Sequence, residues 1–248
     1  MFENRTMWPG ILLRVILMTN QSLLLILFCC VKSIRDNGAR MITITDPRIE
    51  KYLMNLSVED DRHIIEMERI AKEKGFPIVD RLVGRLLWVL TKLKKPKLIV
   101  ELGSGYGYSG YWFARALGKG RVVLIDHSEK NIDYAEKTFG ETGLSRKAEF
   151  RVGNAAEIAK EYDNIDILFI DIDKHQYLHA VKKVLPNLNR NALIIADNTL
   201  WYGKVVGRMG DRETAGIKDF HSYMFTNEDF FTTILPLRDG VLVSYKLS

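Results

Sequence analysis

The sequence predicts an α/β fold: a doubly wound, mostly parallel sheet preceded by helices and closed by an antiparallel C-terminal hairpin. Two patterns carry that expectation. From Lys97 onward, short strand-like apolar runs alternate with amphipathic helical segments, which is how βαβ units with right-handed crossovers read in a sequence. Near the end the alternation stops. Two strand-like runs follow each other across a short Asp-Gly connection, so one late strand must run antiparallel to its neighbour.

Taken in order, residues 47–93 place apolar side chains at helical spacing, notably Ile64, Ile65, Met67, Ile70, then Leu82, Val83, Leu86, Leu87 and Leu90. Two or three helices are expected there, broken around Gly75 and Pro77. Strands are expected at 98–102, 122–126, 148–152, 165–171 and 192–197, all five buried, with helices between them. The hairpin strands are 231–236 and 241–247, joined through Leu237, Arg238, Asp239 and Gly240. Lys92, Lys94, Lys95 and Lys97 sit where a helix C-terminus favours cations, a sufficient reason for their clustering.

With 47% hydrophobic and 27% charged residues, disordered, collagen-like and low-complexity readings are excluded. The 2 cysteines, Cys29 and Cys30, are adjacent, which leaves no disulfide framework and no Cys-based zinc site, so a reducing, cytoplasmic location is expected. Histidines 63, 127, 175, 179 and 221 lack zinc-ligand spacing, although His175 and His179 would share one helix face. More than half of the +5 net charge lies in residues 1–40, where Arg5, Arg14, Lys32, Arg35 and Arg40 face only Glu3 and Asp36. Residues 11–31 of that piece are 16 apolar of 21, interrupted by Arg14 and by Thr19-Asn20-Gln21-Ser22, which makes a marginal membrane span and a weak signal peptide. Residues 1–40 are therefore read as an appendage, with Met41 as the functional first residue and a membrane anchor as the alternative. Residues 41–248 form the catalytic domain.

In a doubly wound sheet ligands bind beyond the carboxyl ends of the strands. The first strand runs into Glu101-Leu102-Gly103-Ser104-Gly105-Tyr106-Gly107-Tyr108-Ser109, whose glycines let the backbone turn sharply and approach a ligand. Asp126 ends the second strand, where a carboxylate can accept hydrogen bonds from both hydroxyls of a ribose, so the pair points to a nucleoside cofactor. Gly105, Gly107 and Gly110 formally satisfy a dinucleotide fingerprint, but the charge of Glu101 would repel a pyrophosphate and suits a sulfonium or an amino group. The fourth and fifth strands end in Asp171-Ile172-Asp173-Lys174 and Asp197-Asn198. Asp171, Asp197 and Asn198 would converge as a hard oxygen set for Mg²⁺, Mn²⁺ or Ca²⁺. Beside such a cation Lys174 could serve as a neutral amine that accepts a proton. Trp201 and Tyr202 either wall an aromatic substrate or simply pack.

These residues, in this order and spacing, with the tail Leu235-Pro236-x-x-Asp239-Gly240, resemble the cation-dependent O-methyltransferases, the group of catechol and caffeoyl-CoA O-methyltransferases and their bacterial relatives. The resemblance runs from about residue 45 to the C-terminus. It implies a seven-stranded, Rossmann-like class I methyltransferase fold that binds S-adenosylmethionine. Carried over position by position, it implies that Glu101, Gly103 and Ser109 surround the methionine part of the cofactor, Asp126 holds the ribose and Ala155 lies by the adenine, with Gly107 and Asp171 also in the cofactor-binding set. Asp171, Asp197 and Asn198 would be the metal ligands and Lys174 the base. Gly105 falls on a variable position, and Asn154 and His221 stand where the family often has Asp and Asn.

The expected activity is thus methylation of a vicinal-dioxygen, catechol-like small molecule by a homodimer. Methylation of a 5-hydroxyuridine in tRNA is the alternative acceptor, with little support from the near-neutral balance after Met41. An NAD-dependent oxidoreductase would explain the glycines and Asp126 but not the clustered Asp171, Asp197 and Asn198. A non-catalytic nucleotide-binding module would explain neither that cluster nor Lys174.

Overall fold

The computed structural model describes residues 44–207 and 210–248. The expectations for residues 1–40, including the apolar run 11–31, lie outside the described residues. Among the described residues no helix is long and apolar enough to cross a membrane.

Among the described residues three helices lead into the sheet: α1 (Pro47–Leu56), α2 (Arg62–Lys74) and α3 (Arg81–Lys94). Each starts on an aspartate whose side chain accepts backbone N–H groups of the first turn, Asp46, Asp61 and Asp80 in turn. The break between α2 and α3 falls at Gly75, in the left-handed region at φ 60°, as the sequence predicts.

The sheet then alternates with helices. It comprises β1 (Leu98–Leu102), α4 (Tyr108–Ala116), β2 (Arg121–Asp126), α5 (Glu129–Thr142), β3 (Ala148–Val152), α6 (Ala155–Ala159), β4 (Ile165–Ile170), α7 (Tyr177–Val184) and β5 (Leu188–Ala196). It closes with α8 (Arg212–Thr226), β6 (Phe230–Leu235) and β7 (Val241–Lys246). The strand order is β3-β2-β1-β4-β5-β7-β6, with β1 to β5 parallel, β7 antiparallel to β5 and β6 antiparallel to β7. The order reverses at β1, between the halves β1-β2-β3 and β4-β5, and there a ligand crevice opens.

Alternate side chains of the strands go to opposite faces. Val100, Leu102, Val123, Leu168 and Ile194 pack with α6, α7 and α8, whereas Ile99, Val122, Leu124, Phe169 and Ile195 pack with α2, α3, α4 and α5. Burying each such side chain stabilises the fold by about 1.5–3 kcal/mol.

Two strand expectations are corrected. β3 is an edge strand and only partly buried, with Val152 about half exposed, because nothing pairs beyond it. β5 starts at Leu188 rather than 192: the polar run Asn189-Arg190-Asn191 reads as loop, but a register shift opposite Ile165–Ile167 absorbs it, with Asn191 left-handed and Asn189 Nδ2 donating to Asp166 Oδ1 at 2.8 Å.

One carboxylate joins α2, α3 and α4, beside the contacts of Tyr111 and Arg115 with Asp61 and of Arg115 with Glu59. Glu68 of α2 accepts from Arg81 Nε at 3.0 Å and from the Tyr108 hydroxyl at 2.7 Å, and Arg81 also donates to the Ser57 carbonyl. Tyr108 is fully buried, so its hydroxyl has no water to fall back on. Glu68→Ala is therefore expected to lower the stability of the protein by roughly 1–3 kcal/mol in urea denaturation, the cost of leaving such a group unpaired. A loss below a few tenths would show that Glu68 does not tie α2 and α3 to α4.

Candidate active site

At the carboxyl end of β1 the chain turns sharply into α4. Gly103 has φ 84°, and a Cβ there would strike the carbonyl oxygen of Asp171, so only glycine allows the loop to lie against the end of β4. The loop is pinned to β2, with the N–H groups of Gly103 and Ser104 donating to the Ile125 carbonyl at 2.9 and 3.1 Å. Gly107, at φ 89°, starts α4.

Glu101 does not end the strand. It is the fourth of its five residues, fully buried on the α4 side, where it accepts a hydrogen bond from the Ser109 hydroxyl while Oε2 has no partner. Burial pushes its carboxyl up to about 8, against the opposing pull of the Ser109 hydrogen bond. Asp126 is nearly buried at the end of β2, with its oxygens fixed by Gly105 N (2.9 Å), Ser128 N (2.9 Å) and Asn131 Nδ2 (3.1 Å). Asn154 caps α6 through Glu157 N and sets Ala155 on the same rim.

On the other side of the crevice, the register pairs Ile170 of β4 with Ala196 of β5, so the residues that follow, Asp171 and Asp197, leave the sheet side by side. Asp197 is fully buried, and Oδ1 has no hydrogen-bond partner. Burial first, and Asp171 next, push its carboxyl up to about 7 despite Arg238 and Lys174 nearby. Lys174, 7% exposed, donates from Nζ to Asp171 Oδ1 (2.9 Å), the Ile172 carbonyl (3.2 Å) and the Tyr177 hydroxyl (2.9 Å). Tyr177 in turn donates to the Asp197 carbonyl at 2.9 Å. Arg238 reaches across from the β6–β7 turn, with Nη1 3.3 Å from Asp197 Oδ2.

The chain after Asp197 is held in costly backbone conformations. Asn198, Trp201 and Tyr202 lie at φ 53°, 48° and 53°, a region that costs a non-glycine residue about 1–2 kcal/mol. The hairpin turn holds them there: Thr199 N donates to the Gly240 carbonyl (2.9 Å), Leu200 N to the Asp239 carbonyl (2.9 Å) and Tyr202 N to Asp239 Oδ1 (2.5 Å).

One cavity of about 1070 Å³ joins the two sides. Gly103, Ser109, Asp126, Ala155, Asp171, Lys174 and Asn198 line it, together with Trp201, Tyr202 and Arg238. Glu101, Gly107 and Asp197 stand behind this lining, not in it. Trp201 therefore walls the cavity, and the Lys174 amine lies 5.9 Å from its ring. His175 and His179 border one small surface pocket, but only His179 belongs to α7. His175 belongs to a short 3₁₀ turn ahead of α7, where Nδ1 meets Glu213 Oε1 at 2.5 Å.

Sequence reasoning gave no role to Arg238, Tyr177 or the 76–79 segment that lines the cavity opposite β1. Tyr177 falls three residues after Lys174, a spacing that could have marked it as a partner. Arg238 carried no signal beyond its place beside an Asp-Gly turn.

Among the described residues no group of three His, Cys, Asp or Glu side chains is placed to hold a metal ion. The oxygen set here is two carboxylates and an amide, and the orphaned Oδ1 of buried Asp197 fits an oxygen-seeking cation.

A family model described as O-methyltransferase matches residues 44–247. The chain belongs to the O-methyltransferase family. It is 29% identical over 198 residues to a catechol O-methyltransferase of Niastella koreensis, covering 76% of this chain and 90% of that one. A methyltransferase from Geobacter sulfurreducens shares the structure with TM-score 0.74 and 39% identity, over 84% of this chain and all of that one. An O-methyltransferase from Bacillus cereus in complex with SAH does so with TM-score 0.74 and 25% identity, over 80% and 97%. The seven-stranded methyltransferase fold is thereby borne out, and the chain is an O-methyltransferase.

Glu101 gives the site a pH signature. A carboxyl whose folded-state pKa is about 8, above its ordinary 4.5, binds its proton more tightly in the folded chain. Its contribution is therefore fully present below pH 4.5 and is lost as pH rises toward 8. Glu101→Gln is expected to be more stable than the wild type at pH 8, with the gap closing toward pH 4.5. Thermal unfolding of the ligand-free proteins across that range checks this, and a gap that widens toward low pH contradicts it.

Proposed function

We propose that this O-methyltransferase moves the methyl group of S-adenosylmethionine to a hydroxyl of a catechol-like acceptor, with a divalent cation held by Asp171, Asp197 and Asn198. Mg²⁺ is the first choice, with Mn²⁺ or Ca²⁺ as substitutes. The observation that carries this reading is the buried Asp197, with one oxygen orphaned, leaving the sheet beside Asp171, which itself bonds to Lys174 one turn on.

On the cofactor side, three donors fix the Asp126 carboxylate at the end of β2, which supports its reading as the ribose partner, and Ala155 with Asn154 on the same rim would meet the base. Ser109 faces the cofactor side of the cavity, and Glu101 behind it accepts its hydroxyl hydrogen bond; the pair is proposed to receive the amino group of the methionine part. S-adenosylmethionine supplies an electrophilic methyl group on a sulfonium. Asp171, Asp197 and Asn198 would hold the cation, and the chemistry it would supply is to make an acceptor hydroxyl more acidic.

The chain's own residues do the rest. Trp201 and Tyr202 orient a flat acceptor, held by the hairpin turn in strained conformations that fix their place. Lys174 Nζ is held by Asp171 Oδ1, the Ile172 carbonyl and the Tyr177 hydroxyl, and as the free amine it would accept the proton of the acceptor hydroxyl. The oxygen–methyl bond forms as the sulfur–methyl bond breaks, the proton rests on Nζ, and the thioether leaves neutral. Positioning in the cavity supplies much of the acceleration.

Asp171→Ala, Asp197→Ala and Asn198→Ala are each expected to abolish methyl transfer to catechol, while Asn198→Ala retains cofactor affinity in a calorimetric titration. A radiolabel assay with and without excess chelator is the direct test, and full activity in chelator removes the cation from the account. The same assay run with hydroxylated tRNA separates the alternative acceptor.

Lys174→Ala is expected to lower kcat by roughly 10² to 10⁴, the usual worth of a general base. The loss should shrink for catechols of greater acidity, because a hydroxyl ionised without help needs no base. An unchanged kcat across such a series would take Lys174 out of the mechanism.

A further inference from the structure

Arg238 lines the cavity and pairs with Asp197, but the proposed chemistry gives it no part. Its backbone sits at φ 52°, and the turn that carries it is fastened to the 199–202 segment by Asp239 and Gly240, so its position is built rather than incidental. The side chain is 30% exposed. A guanidinium has five N–H donors in a planar fork. Among the described residues only one of them is used, Nη1 to Asp197 Oδ2 at 3.3 Å. Asp239 makes no ion pair with it among the described residues, its Oδ1 being taken by Tyr202 N.

Arg238 lines the cavity where Asp197 does not, so the guanidinium covers a carboxylate that the proposed reaction needs for a cation. A cation held on Asp197 would repel the guanidinium, and the single long hydrogen bond at 3.3 Å is the contact that would yield. The fork would then be free to face the cavity it lines, at the β7 side next to Tyr202, several strands from Asp126 at the end of β2, which leaves it to the acceptor. Planar, bidentate recognition by arginine matches a carboxylate.

We propose that Arg238 is a specificity-determining residue that selects acceptors carrying a carboxylate as well as vicinal hydroxyls, an aromatic dihydroxy acid in place of a simple catechol. The inference rests on the acceptor class given under Proposed function and narrows it.

The test compares 3,4-dihydroxybenzoate with its methyl ester as acceptors for the wild type, Arg238→Gln and Arg238→Lys, with S-adenosylmethionine and Mg²⁺ present. The acid-to-ester ratio of kcat/KM is expected to fall roughly 10- to 100-fold in Arg238→Gln, the range of a charge-assisted hydrogen bond pair, and to fall through KM. Arg238→Lys should retain part of the preference. Calorimetric titration of 3,4-dihydroxybenzoate into each protein with SAH and Mg²⁺ should show the same ranking without turnover. An equal ratio in wild type and Arg238→Gln, or a kcat loss shared by acid and ester, overturns the inference. Catechol with the wild type keeps the two readings apart: if catechol is methylated and the ratio does not move, only the role of Arg238 falls. If no catechol is methylated with any cation, the proposed acceptor class falls, and the calorimetric ranking still decides whether Arg238 binds a carboxylate.

Discussion

Two carboxylates, Asp171 and Asp197, leave adjacent parallel strands at the same level, and the rest of the site is arranged around that conflict. One of them is fully buried, so neither water nor distance relieves the repulsion between them. Relief comes from cations brought by other elements: Lys174 from the turn after β4 and Arg238 from the hairpin. Even so, the Asp197 carboxyl is pushed well above the ordinary carboxylate range, and one of its oxygens has no partner. A site in which amino-acid cations leave this much unsatisfied is suited to a compact divalent ion.

The topology makes the conflict unavoidable and also useful. A parallel β4–β5 pair puts both strand ends on the cofactor side of the sheet, where the reversal of strand order opens the crevice. The antiparallel β7–β6 hairpin then supplies what parallel strands cannot, a turn on the same rim as those ends. Its Asp239 and Gly240 hold Asn198, Trp201 and Tyr202 in left-handed conformations, and the same turn aims Arg238 inward. The glycine loop after β1 completes the rim, because without a Cβ at Gly103 it can lie against the Asp171 carbonyl.

The sequence showed the elements well where local chemistry agreed with the fold. β1 and β3 have the expected limits because sharp changes in composition bound their apolar runs, and the Asp-Gly turn marked the hairpin. It misled where tertiary structure overrode local signals. Asn189, Arg190 and Asn191 are poor strand formers, yet pairing with β4 across a register shift draws them into β5. Glu101 reads as a charged strand end facing a ligand, whereas the pleat turns it onto the α4 face and buries it against Ser109. Asp171, Lys174, Asn198 and Asp126 were legible because strand ends concentrate chemistry, and all four line the cavity. Arg238 was not, because a guanidinium brought from a distant turn to Asp197, forty-one residues away in the chain, leaves no trace in local spacing.

The central claim is that the Asp171–Asp197 pair exists to hold a divalent cation, with Asn198 as the third ligand. The most direct test is a crystal structure of the protein grown with SAH and Mn²⁺, in which anomalous scattering locates the ion without reference to activity. The account predicts one strong peak within coordination distance of Asp171, Asp197 and Asn198, with Arg238 withdrawn from the Asp197 oxygen. A cavity that binds SAH while Arg238 stays on Asp197 and no peak lies near the two carboxylates would contradict it.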